Sequence, residues 1–111
     1  MTQQIQTNTL TGNMKYEITQ DKLNQLGGNI LDEIYGQLHT EKDNNRYFDD
    51  NGNGRIHIRK NIPHILFKDY QKMASQIDVK TNVWGHIIQN WLKEKYGRNL
   101  FDEFGWLTYD I

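Results

Sequence analysis

Side-chain and main-chain oxygens recur at alternate positions in Asp49, Asn51 and Asn53, followed by Gly54 and then Ile56. A calcium loop needs that alternation, a glycine at its sharp turn and a bidentate glutamate at its twelfth position. The twelfth position here is Lys60, with Arg59 beside it, and Asp50 falls at a non-ligand position. One carboxylate at a ligand position against two cations argues for no calcium site. Asn51-Gly52 is also the strongest short signal for a β-hairpin, because both central residues of a type I′ turn need positive φ. With that pair as the turn, Tyr47 faces Ile56 and Asn45 faces Ile58. Tyr47, Ile56 and Ile58 then share one side of the hairpin, with His57 on the other.

The other reactive residue types are dispersed. Ser75 is the single serine, lies inside a helical pattern and has no G-x-S-x-G around it. No HExxH, P-loop or dinucleotide fingerprint is present, and Gly52-Asn53-Gly54 lacks the third glycine of the last. Of His39, His57, His64 and His86, only His57 and His64 suggest a metal pair, and Asp49, Asp50 and His57 suggest a nuclease-like group. Exposed strand and helix-start histidines are commoner explanations of the first pair. No nucleophile, base and orienting group can be named together. The expectation is a non-enzymatic protein with no catalytic residue, no metal and no cofactor.

Composition narrows the class further. A chain of 111 residues has room for one modest core, and 36% hydrophobic residues make that core small. Aromatic residues at 12% argue against disorder and can make up for missing aliphatics. The lack of cysteine removes disulfides, thiolate nucleophiles and sulfur-ligated zinc, and favours the cytoplasm. Met1 to Asn13 has no apolar run of the kind a signal peptide needs, and no stretch is apolar enough to span a membrane. The net charge of −1 conceals a partition. Residues 55–98 hold nine Lys/Arg against three Asp/Glu, whereas residues 1–54 hold four against eight and residues 99–111 none against three. A basic segment between acidic ones points to binding.

The elements that must carry these residues follow from periodicity. Residues 1–13 read as a flexible arm and 14–111 as a single domain. Lys15 to Ile18 alternates polar and apolar, as a short strand does. Thr19 precedes a helix whose stripe is Leu23, Leu26, Ile30, Leu31, Ile34, Tyr35 and Leu38. Gly27-Gly28 inside it signals a kink, a close backbone approach or a break. After the hairpin, Pro63 fits the first turn of a second helix with Ile65, Leu66, Tyr70, Met73, Ala74 and Ile77 along its stripe. Thr81 is placed to cap a third helix carrying Val83, Trp84, Ile87, Ile88, Trp91, Leu92 and Tyr96, which Gly97 ends. The fold class is α+β: three helices with a β-hairpin between the first and second, and a short N-terminal strand as an optional addition.

Tyr70 to Ile87 resembles the helix-turn-helix of phage repressors and related regulators. Met73 and Ala74 match the buried positions of the first helix, Ile77 and Val79 bracket the turn, and Trp84 and Ile87 match the positions that pack back. Asp78 stands where the family usually has glycine, a departure that a left-handed aspartate would accommodate. The resemblance implies a small DNA-binding regulator, as a monomer or a homodimer, whose third helix enters the major groove of double-stranded DNA. Lys80, Thr81, Asn82, Gly85 and His86 would then be exposed, with Gln89 and Asn90 further along. Asparagine and glutamine can pair with adenine, and Lys80 can reach guanine or phosphate. Lys68, Lys72, Arg55, Arg59 and Lys60 would supply phosphate contacts. The alternative is an inhibitor or accessory protein, of the kind mobile elements encode, that binds a partner protein through an acidic aromatic surface. Its residues are Phe101, Asp102, Glu103, Phe104 and Trp106.

Overall fold

A computed structural model describes residues 4–6 and 17–110. Among them are three helices and seven strands in an α+β arrangement. β1 (Gln4–Gln6) and β2 (Glu17–Thr19) form a separate antiparallel pair. Of the arm expected over residues 1–13, only 4–6 lie among the described residues, and so does only the end of the strand expected over 15–18.

Thr19 caps α1 (Gln20–Tyr35), its Oγ1 accepting the Lys22 N–H at 3.2 Å. Leu23, Gly27, Leu31 and Tyr35, spaced by four, form its buried edge. The helix runs unbroken through Gly27-Gly28, and close approach is the reason for the first glycine. A Cβ on Gly27 would collide with the Ile87 side chain and lie 3.3 Å from the Trp84 ring.

β3 (His39–Thr40), β4 (Arg46–Phe48), β5 (Gly54–Arg59), β6 (Ile62–Leu66) and β7 (Thr108–Asp110) form one sheet in that order. Neighbours are antiparallel except β6 and β7, which are parallel. Tyr47 faces Ile56 as the sequence implies, and the Ile58 N–H donates to the Asn45 carbonyl at 2.7 Å. The register then slips, Phe48 faces Gly54, and residues 49–53 form a longer loop in place of the two-residue Asn51-Gly52 turn. Asp49 is the physical cause. Its carboxylate accepts the N–H groups of Asn51 and Asn53, both at 2.9 Å, and this local bonding outcompetes the tight turn. The two-residue hairpin turn lies instead at Lys60-Asn61, where φ is +52° and +62° and Arg59 faces Ile62.

Pro63 lies within strand β6, so the expectation that it opens a helix is corrected. β7 pairs only with His64–Leu66, which leaves Pro63 beside an edge where a missing N–H is tolerated. α2 (Phe67–Gln76) starts after the strand, and Ile65 and Leu66 belong to the sheet. Lys80, not Thr81, occupies the N-cap position of α3 (Thr81–Tyr96). The Thr81 hydroxyl is bonded to the Tyr70 hydroxyl at 2.9 Å instead. Gly97 ends α3 in the left-handed region, with its N–H on the Lys93 carbonyl and that of Arg98 on Leu92.

The core joins α1 and α3 to the sheet face bearing Tyr47, Ile56, Ile58 and Ile65. Burial raises the Tyr47 phenol to about 12. Val83, Trp84, Gly85, Ile87, Ile88, Gln89, Trp91 and Leu92 are all buried, so α3 is enclosed around most of its circumference. The Trp84 indole N–H donates to the Ile77 carbonyl at 3.0 Å, which fixes the α2–α3 corner.

Candidate functional site

The metal-like groupings do not assemble. The Asp49 carboxylate is spent on its own loop, and those N–H groups hold it below the usual aspartate range, with burial opposing and Arg55 assisting. Asp50 is bonded to His39 at 2.8 Å. His57 and His64 do meet, directly opposite each other on β5 and β6. Among the described residues no three His, Asp, Glu or Cys side chains come together as metal ligands. Ser75 donates to the Lys72 carbonyl at 2.8 Å, which is a local helix bond.

The α2–α3 corner buries Met73, Ile77, Trp84 and Ile87 at the positions the helix-turn-helix resemblance assigns, whereas Ala74, expected buried beside Met73, is half-buried. Asp78 does not adopt positive φ, so its backbone differs from the left-handed one it was expected to supply. Lys80 and Asn82 are exposed at the start of α3, Lys68 and Lys72 along α2, and Arg59 and Lys60 at the β5–β6 turn. Gly85 and Gln89, expected on an exposed face, are buried, and Thr81, His86 and Asn90 are half-buried. Arg55, expected among the phosphate contacts, is committed inside the protein. Its Nε and Nη2 donate to the fully buried Asp69 at 3.1 and 2.8 Å, and its guanidinium lies 5.2 Å from the centre of the Tyr35 ring.

The cover over α3 is the segment that follows it. Leu100 is buried in the core, and Gly105, at φ +69°, sits directly on Gly85. A Cβ on Gly85 would collide with the Gly105 carbonyl, and a Cβ on Gly105 would collide with that of Asn82. Two glycines therefore let two backbones touch where no other residue fits. The Gln89 Nε2 group donates to the Asp102 carbonyl at 3.1 Å. The Asp102 carboxylate accepts the N–H groups of Phe104 at 3.1 Å and Trp106 at 2.6 Å. This aspartate, expected in an acidic rim, is thus the residue that shapes the loop.

So anchored, the loop turns its largest side chains outward. Phe101 is 84% exposed, Phe104 62% and Trp106 59%. Phe104 and Trp106 are tilted against each other with centroids 6.3 Å apart. Beside them His86, Leu100, Phe101, Asp102, Glu103 and Phe104 line an open depression of about 710 Å³. After the loop the chain returns to the body. β7 joins β6, and Tyr109 stacks on Tyr70 at 4.6 Å and packs against Phe67 at 5.1 Å. The aromatic residues are legible in the sequence by type, but the division between those facing out and those facing in depends on the glycine contact and the parallel strand. No helix among the described residues is long and apolar enough to cross a membrane. No protein-family model, curated protein or solved structure matches the chain.

Proposed function

We propose that this chain is a protein-binding accessory or inhibitor protein, and that the 101–106 loop is its contact surface. One observation carries the reading: Phe101, Phe104 and Trp106 project from a loop whose backbone is pinned at Asp102 and Gly105. Exposed large aromatics on a rigid support suit association, because binding buries much apolar area and costs little ordering. Residues 101–106 contain two acids, Asp102 and Glu103, and no base, so the partner that fits presents an apolar hollow with a basic rim. The nucleic-acid reading has less support, since α3 is enclosed between Val83 and Leu92 and a recognition helix must offer one face to the groove.

The test begins with a photo-crosslinking residue at position 101 or 106, and at Glu33 as a remote control. A single species should crosslink from the loop and not from position 33. Once purified, it should bind the chain saturably, and Phe101→Ser or Trp106→Ser should weaken it at least about tenfold, the scale of an aromatic anchor. Equal binding by those variants overturns the proposal. So would tight, steeply salt-dependent binding to duplex DNA that Lys80→Ala and Asn82→Ala abolish, which would restore the regulator reading.

A further inference from the structure

The sheet face turned away from the helices carries a second constellation. Cα partners in adjacent strands project their side chains to the same side. Arg46 faces His57, His57 faces His64, and His64 faces Thr108, so four hydrogen-bonding side chains cross β4, β5, β6 and β7 in one row. The parallel row on the inner face is Tyr47, Ile56, Ile65 and Tyr109. A cleft of about 160 Å³ lies over the outer row, lined by Arg46, His57, His64, Phe48 and Leu66 and also by Arg55 and Asp110. The Arg59 Nε–H donates to His57 Nδ1 at 3.2 Å. A neutral His57 ring therefore carries its proton on Nε2, and a proton gained at Nδ1 releases the Arg59 N–H from that bond.

The charges around this cleft discriminate between ligands. Arg59 on β5 and Arg46 on β4 bracket His57, and His64 adjoins it from β6. Glu41 is 3.6 Å from Arg46, and Asp110 lies on β7 opposite Leu66. Arg55 is paired with Asp69 at 2.8 Å and with Asp49 at 3.8 Å. With both imidazoles neutral, the three arginines face four carboxylates, Glu41, Asp49, Asp69 and Asp110, which leaves a small negative excess. Protonation of the histidines makes the centre of the row positive. A divalent cation would meet Arg46 and Arg59 beside the imidazoles, whereas an oxyanion meets donors from β4, β5 and β6.

We propose that Arg46, His57 and His64 form an oxyanion site that takes a phosphate- or sulfate-sized group together with a proton on His57. Burial, then Arg59, Arg46 and His64, hold unliganded His57 below the ordinary histidine range, with Glu41 opposing. A bound anion reverses the electrostatic part of that effect, so binding and proton uptake reinforce each other. The site is independent of the aromatic loop and stands whether or not the loop binds a partner.

Calorimetry on the full chain with sodium sulfate tests the site, because the charge of sulfate stays fixed over the range of about pH 5 to 8 where histidine titrates. Saturable binding is expected at pH 6, weaker by roughly tenfold at pH 8, with heats that depend on buffer ionisation as proton uptake requires. Arg46→Ala and His57→Gln should each weaken it by roughly tenfold, the scale of one charge-assisted hydrogen bond, without lowering the melting temperature. Lys22→Ala should not change it. Inorganic phosphate and a nucleoside 5′-monophosphate separate the sources. Equal affinity supports a free oxyanion, and tighter nucleotide binding supports an attached group resting on Phe48 and Leu66. The proposal is overturned by no saturation at about 10 mM sulfate at pH 6, where even millimolar affinity would register. Unchanged binding in Arg46→Ala and His57→Gln, or zinc binding to the histidine pair that sulfate does not oppose, would also overturn it.

Discussion

Single residues decide where this chain is rigid. Gly85 and Gly105 meet backbone to backbone, so Gly85→Ala must push the loop away from α3. Helix propensity favours alanine by about 1 kcal/mol, but a carbonyl cannot yield as a side-chain end can. Overpacking of this kind costs about 1–3 kcal/mol. The variant should melt earlier, and amide exchange at Phe104 to Leu107 should accelerate more than exchange in α1. A second residue-scale dependence is the pair of Arg55 with fully buried Asp69. Asp69→Ala leaves a largely enclosed guanidinium without its partner, and breaking such a pair costs about 3–5 kcal/mol. Denaturant unfolding measures the loss, and Arg55→Met added to Asp69→Leu should recover much of it. Burial and the Asp69 carboxylate also raise the Tyr35 phenol well above its ordinary value, with Arg55 opposing. Its titration should therefore shift downward in Asp69→Ala.

At the scale of elements, local chemistry and tertiary pairing competed, and the sequence reveals the outcome unevenly. α1 and α3 are legible because a 3-4 stripe, the Thr19 cap and the Gly97 stop all agree. β6 is not, because Ile62–Leu66 is a short apolar run with a proline that suits a helix start as well as a sheet edge. β7 has three exposed residues and no burial alternation, so only its pairing with β6 makes it a strand. The hairpin pairing of Tyr47 with Ile56 is legible from its apolar alternation, yet the Asp49 loop displaces the Asn-Gly turn. That loop has a definite pH dependence. A carboxylate held below its unfolded value of about 3.9 stabilises the fold above that pH and loses its contribution as pH falls through the lowered folded value. NMR amide signals of Asn51 and Asn53 should stay fixed down to about pH 4 and move together below it.

For the whole molecule, the acidic C-terminal region is both core and surface. Leu100, Gly105 and the Tyr109 stack hold it to the body, while Phe101, Phe104 and Trp106 face away. Truncation after Asn99 should therefore lower stability by at least about 2 kcal/mol, the scale of one buried leucine, and circular dichroism melting measures it. The parallel pairing of β7 with β6 has a kinetic side. Joining His64 to Thr108 closes a loop that contains both α2 and α3, so its entropy is favourable to spend only after those helices have docked. β7 is then expected to join late in refolding, after the 101–106 loop has settled on α3 through Gly85 and Gly105.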